Sequence, residues 1–254
     1  MIDSRKRFSD RVADYVKYRP GYPLAVLAHL RDELGLKPEH VVADIGSGTG
    51  IFSRLLLDNG NMVFGIEPNR EMREAAEHSL EAYTGFKSMS ATAEATTLPD
   101  ATVDFVTCAQ AFHWFEPMRA RREFSRVLKR GGQAILVWNI RLETGAAFYE
   151  EYEALLRNHC PDYIETRHGG LANPEALARF FGARQPRFFS CANKQVFDLA
   201  GLEGRLLSSS YAPRPGHPAH EPMMRDLSEL FGRHERNGRV SFEYETKAFS
   251  GALE

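Results

Sequence analysis

The chain has 254 residues, 43% hydrophobic and 26% charged, an ordinary globular balance that excludes a largely disordered polypeptide. Lys and Arg number 32 against 34 Asp and Glu, a formal net charge of −2, which argues against a dedicated polyanion binder. The longest apolar run, Ala134 to Trp138, is five residues, far short of the ~20 that span a bilayer.

In chain order, a first helix is expected over Asp10–Tyr18, stopped by Pro20 and Gly21. A second follows Tyr22-Pro23, with Leu27, Leu30 and Leu34 on one stripe and Gly35 closing it. From His40 short apolar runs alternate with amphipathic segments, the pattern of a layered α/β sheet. The expected strands are Val41–Ile45, Met62–Ile66, Phe86–Ser90, Val103–Ala109 and Gln133–Trp138. Helices are expected over Thr49–Asn59 and from Asn69, the N-cap, to Leu80. A third places Ala120, Phe124, Val127 and Leu128 on its buried face and ends at Gly131-Gly132, with Lys129 and Arg130 complementing its dipole. Arg119, Arg122, Arg126 and Arg130 read as a solvated face. Helices are expected near Ala146–Asn158 and Pro174–Phe180, a loop over Tyr211–Pro222, and a period-2 strand around Val240–Lys247. A sixth strand is sought within Arg187–Phe197. One domain with an N-terminal helical lid (1–36) and a helical cap (139–185) is the simplest parse.

Chemistry concentrates in Asp44-Ile45-Gly46-Ser47-Gly48-Thr49-Gly50, where a buried strand opens into glycines and then a helix. Glycine lets the backbone turn sharply and approach a ligand, and a helix N-terminus offers unsatisfied N–H groups. The spacing is GxGxG, not the dinucleotide GxGxxG, and Asp44 would repel a pyrophosphate. Such an acid suits an ammonium group. Glu67, 23 residues later in Ile66-Glu67-Pro68, sits where a strand-end carboxylate accepts both hydroxyls of a ribose. Asp44, the glycines and Glu67 thus describe a pocket for an aminoacyl-nucleoside without phosphate.

These residues resemble the class I S-adenosylmethionine-dependent methyltransferases. Asp44 to Gly50 looks like their first motif and Glu67 like their ribose-binding acid. Ser90-Ala91-Thr92-Ala93-Glu94-Ala95 with Leu98-Pro99 is similar to their adenine-edge region, which implies contacts from Ala93 and Glu94. Gln110-Ala111-Phe112-His113-Trp114-Phe115 resembles the trans-aconitate methyltransferase-like branch, as do Phe8-Ser9-Asp10 to Tyr18-Arg19-Pro20-Gly21-Tyr22-Pro23 and Arg205 to Tyr211. The resemblance implies a Rossmann-like seven-stranded mixed sheet, its last strand antiparallel between the fifth and sixth, with helices on both faces. It implies S-adenosylmethionine as cofactor and S-adenosylhomocysteine as product.

The expected cofactor-binding residues are Asp44, Gly46, Ser47, Gly48, Gly50, Glu67, Pro68, Ala93, Glu94, Gln110, Tyr18 and Arg19. Trp114 and Tyr211 are expected at the acceptor pocket, and His113 is the candidate base should the acceptor need one. The expected reaction is methylation of a small molecule, with O-methylation of a carboxylate set beside methylation of a quinone- or phenol-like metabolite and beside non-catalytic cofactor binding. A nicotinamide oxidoreductase is disfavoured by the glycine spacing. Cys108, Cys160 and Cys191 lack metal-ligand spacing, and Met1–Arg7 lacks the apolar core of a secretion signal. A cytoplasmic monomer or homodimer without metal, nucleic-acid or membrane partner is the expectation.

Overall fold

A computed structural model describes residues 12–164, 174–182 and 185–253. Its centre is one seven-stranded sheet: β1 (Val41–Ile45), β2 (Met62–Ile66), β3 (Phe86–Met89), β4 (Val103–Ala109), β5 (Leu128–Arg141), β6 (Arg187–Phe197) and β7 (Val240–Gly251). The order is β3-β2-β1-β4-β5-β7-β6. β1 to β5 pair in parallel, and β7 runs antiparallel to both β5 and β6. The antiparallel last strand and its position are as the family resemblance implies. Strand order reverses between β1 and β4, so loops leaving their carboxyl ends diverge and open a crevice.

Strand side chains alternate between two helical layers, as the pleat dictates. Ala134, Leu136 and Trp138 of β5 pack with Phe124 of α5 (Pro117–Val127) and Phe180 of α7 (Pro174–Phe181). Ile135 and Val137 face the other way, toward Leu30 of α2 (Leu24–Asp32) and Leu56 of α3 (Ile51–Asp58). Asn69 caps α4 (Arg70–Ser79) by accepting from the Met72 N–H at 2.9 Å, as its residue type predicts. A third cluster joins α6 (Ala147–His159), α8 (Leu199–Leu207) and α9 (His220–His234) to Val240, Phe242 and Tyr244 of β7. Two of these helices, α8 and α9, lie beyond residue 185.

Several boundaries differ from expectation. α5 stops at Val127, and residues 128–132 already belong to β5. Lys129 is thus no dipole partner: its ammonium pairs at 2.9 Å with Asp104, which also accepts from the Val41 N–H. The expected loop ends early, because His220 begins α9 and Pro222 lies in the first turn, where no N–H is required. α1 (Val12–Tyr18) ends where predicted; its expected start at Asp10, and Phe8-Ser9-Asp10, lie outside the described residues. Arg126 leaves the solvated face to pair with Glu123 and Asp100 at 2.6 Å each. Among the described residues no helix is long and apolar enough to cross a membrane.

Candidate functional site

The crevice holds a cavity of about 310 Å³. β1 delivers Asp44 to its floor, and parallel register sets Thr107 of β4 beside it. The Thr107 hydroxyl donates to one Asp44 carboxylate oxygen at 2.9 Å, and the Ser53 hydroxyl of α3 donates to the other at 2.6 Å. The Ser53 N–H is a third donor, which leaves one lone-pair site of the carboxylate for a ligand. Burial pushes the Asp44 carboxyl up to about 6, against the opposing pull of these donors.

The three glycines after Asp44 have three different reasons. Gly46 turns at φ +69°, and a Cβ there would lie 2.4 Å from Ala111 Cβ and 3.3 Å from the Phe115 ring. Gly50, the N-cap of α3 at φ +82°, is pressed by Leu80, 2.6 Å from any Cβ. Gly48 has nothing within 4 Å; its missing side chain keeps space open. The Gly46 and Ser47 N–H groups both donate to the Ile66 carbonyl, at 2.8 and 3.2 Å, tying the turn to the end of β2.

There Glu67 accepts from the Gly48 N–H at 3.1 Å and the Asn69 N–H at 2.8 Å, one on each oxygen. Burial raises its carboxyl above the ordinary range, against those two bonds. A lone pair on each oxygen remains for a diol. Gln110, at the end of β4, adopts φ +58°, held by its side-chain amide donating to the Asn139 carbonyl at 2.8 Å. A non-glycine residue in that region costs about 1 kcal/mol, a strain typical of functional turns.

The cavity brings together Asp44, Gly46, Ser47, Gly48, Glu67, Pro68, Gln110, His113, Trp114, Arg19 and Tyr211. Ala93 and Glu94 line an adjoining cavity of about 440 Å³, which shares Gly46, Pro68, Trp114 and Phe115 with the first. Glu94 also accepts from the Glu116 N–H at 3.0 Å, ahead of α5. Tyr18 lies elsewhere: its ring packs on Gly204 of α8, where a Cβ would fall 2.1 Å from Cε2. His113 sits 4.7 Å from the Trp114 ring, centroid to centroid.

Residue-level reading missed Tyr15, Tyr22, Asn139, Arg141, Arg205 and Tyr244, all on the cavity wall. Tyr22 could have been found beside the quoted Arg19-Pro20-Gly21 turn, and Arg205 within its serine-rich string. The others depend on strand pairing. Asn139 donates to the Gly21 carbonyl at 3.1 Å and Asn193 to the same oxygen at 2.9 Å, which fixes the N-terminal wall. Arg19 donates to the Ser208 carbonyl at 2.9 Å, and its buried Nε has no hydrogen-bond partner among the described residues. Burial and then the neighbouring Arg205 cation hold the Arg19 guanidinium below its ordinary value.

Residues 43–136 match the methyltransferase domain family. An uncharacterised methyltransferase-like protein of Schizosaccharomyces pombe is 26% identical, over 98% of this chain and 96% of its own. The structure of a "putative type II methyltransferase" from Anaeromyxobacter dehalogenans superimposes with a TM-score of 0.69 at 21% identity, covering 93% of this chain and 98% of that one. Phosphoethanolamine N-methyltransferase 2 of Haemonchus contortus, solved with phosphomonomethylethanolamine and S-adenosylhomocysteine, superimposes at 0.56 and 16% identity, covering 98% of this chain and 60% of that one. At such identities the two structural likenesses are ones of fold.

Proposed function

We propose that the chain is an S-adenosylmethionine-dependent methyltransferase, as its methyltransferase domain match and relatives support, and that the crevice seats that cofactor and presents its methyl group to a small molecule. One observation carries this: two acids at the ends of neighbouring strands bracket a glycine turn and line a single cavity. The residues fit such a nucleoside. Asp44 takes the ammonium, Glu67 the ribose hydroxyls, and the open volume at Gly48 lets the ligand approach the backbone. The adjoining cavity at Ala93 and Glu94 suits the adenine end. Trp114, between the two, offers an aromatic face to a cationic sulfonium.

S-adenosylmethionine supplies, when bound, an electrophilic methyl group and a neutral leaving sulfur. The protein then has to hold the reactants in line and exclude water. A carboxylate acceptor fits this wall because it needs no proton removed. A phenolic acceptor is the second reading, favoured by His113 on the cavity wall as its base. Calorimetric titration with S-adenosylhomocysteine tests the cofactor assignment: saturable one-to-one binding is expected, and none at all overturns it. Release of S-adenosylhomocysteine across a panel of carboxylic acids and phenols then separates the acceptor classes.

Affinity is also expected to depend on pH. The proton and the ligand ammonium compete for Asp44, so binding should weaken up to tenfold per unit below about pH 6. Stability runs the other way. The folded value is raised, so this group's stabilising contribution is complete below the ordinary carboxyl range and is lost as pH rises through about 6. Titrations from pH 5 to 8 on the native chain and on Asp44→Asn check both, since the variant's affinity should lack the step.

A further inference from the structure

The cavity wall carries both signs of charge. Asp44 and Glu67 line it together with Tyr22, Arg19, Arg141 and Arg205, and Arg205 lies against Tyr244. The charge of Arg141 is balanced by Glu153, which the Tyr163 hydroxyl also contacts at 2.6 Å. Arg205 is not balanced. It is 7% exposed, and its hydrogen bonds go to two neutral hydroxyls, Tyr244 at 3.2 Å and Ser209 at 3.0 Å. Among the described residues no carboxylate pairs with it. A guanidinium stays protonated at any working pH, and a buried unpaired charge is costly enough that proteins seldom keep one without a use.

We propose that Arg205 is the receptor for a carboxylate on the methyl acceptor, and that Arg19 serves the α-carboxylate of the cofactor. This rests on the cofactor reading above. Arg19 lines the same cavity as Asp44, where the amino-acid tail of the cofactor is seated, and its Nε has no partner among the described residues. Once that tail is in place, the Arg205 guanidinium and the sulfonium remain as cations, with Glu67 as the remaining acid, a net of one positive charge. One unit of negative charge on the acceptor balances Arg205, and a planar carboxylate matches the fork of a guanidinium. A phosphate monoester would bring nearly two charges. Tyr244 and Ser209 hold the guanidinium in place through their hydroxyls, so the fork is oriented before the acceptor arrives.

The test measures binding to protein saturated with S-adenosylhomocysteine. Aliphatic carboxylates from acetate to adipate, together with benzoate, are each paired with the corresponding carboxamide. At least one carboxylate should bind while its carboxamide does not. Arg205→Gln should weaken that carboxylate about 30-fold, and Arg205→Lys should recover part of the loss because it retains the charge but not the fork. Both variants should bind S-adenosylhomocysteine within about threefold of the native chain, which shows they are folded. Tyr244→Phe leaves the guanidinium and removes one orienting hydroxyl, so it should weaken the carboxylate about fivefold even if Arg205→Gln does not fold. Equal binding of acid and amide, no bound carboxylate, or unchanged selectivity in the variants overturns the inference. Failure of the native chain to bind S-adenosylhomocysteine instead sinks the cofactor reading itself.

Discussion

Asp44→Ala should weaken S-adenosylhomocysteine binding about 100-fold in calorimetric titration, the ~3 kcal/mol that a charged, buried hydrogen bond can contribute. The carboxylate is 1% exposed, and its position is fixed twice, by Thr107 across the parallel pair and by Ser53 from the helix behind it. Truncation removes the anion and leaves two hydroxyls facing a void. Stability should change little in comparison, because losing the hydrogen bonds to the carboxylate is offset by relief of a buried charge whose ionisation the fold disfavours. Asp44→Asn separates charge from shape. It keeps an acceptor for one hydroxyl, so affinity near the native value would mean that the negative charge is not what the ligand reads.

Gly46→Ala should lower the melting temperature by about 5–15 °C, from ~1 kcal/mol of left-handed strain plus ~1–3 kcal/mol of overpacking in a chain this long. Its Cβ would stand 2.4 Å from that of Ala111, well inside the ~3.5–4.0 Å optimum for carbon contacts. Neither atom ends a flexible side chain, so the turn or the segment after β4 must shift, and ligand binding should fall with it. Gly48→Ala is the contrasting substitution. It carries the backbone strain at φ +54° with nothing within 4 Å, so it should cost only ~2–4 °C yet still impair binding by projecting a methyl into the opening. Differential scanning calorimetry paired with titration distinguishes the two. Equal losses of stability would refute the assigned reasons.

What could be read from the sequence was local. Asp44, the glycine turn, Glu67 and the Asn69 cap lie within 26 residues, and each identity follows from its own backbone requirement. The far wall was not legible because pairing builds it: Arg141 meets Tyr244 only through the β5–β7 register. α8 was hidden by Gly201 and Gly204, each of which costs a helix about 1 kcal/mol relative to Ala. The structure explains Gly204, since any Cβ would enter the Tyr18 ring. α9 was hidden by Pro222, a residue that reads as a loop yet is harmless in a first helical turn. The early end of α5 reflects competition, as residues 128–132 are drawn into β5 despite their charges.

The placement of β7 also bears on how the chain matures during synthesis. β1 to β4 can pair among themselves once residue 109 has left the ribosome, β4 crossing back over β2 from β3 to pair with β1. β5 gains its second edge partner only from residues 244–251, with Ala134 opposite Gly251. Until residues 244–251 emerge, the apolar strand Ala134–Trp138 has one flank without a ladder, a state that invites pairing with other nascent chains. Completion of the sheet therefore waits on contacts more than a hundred residues apart, and its rate should be slow relative to assembly of the amino-terminal half.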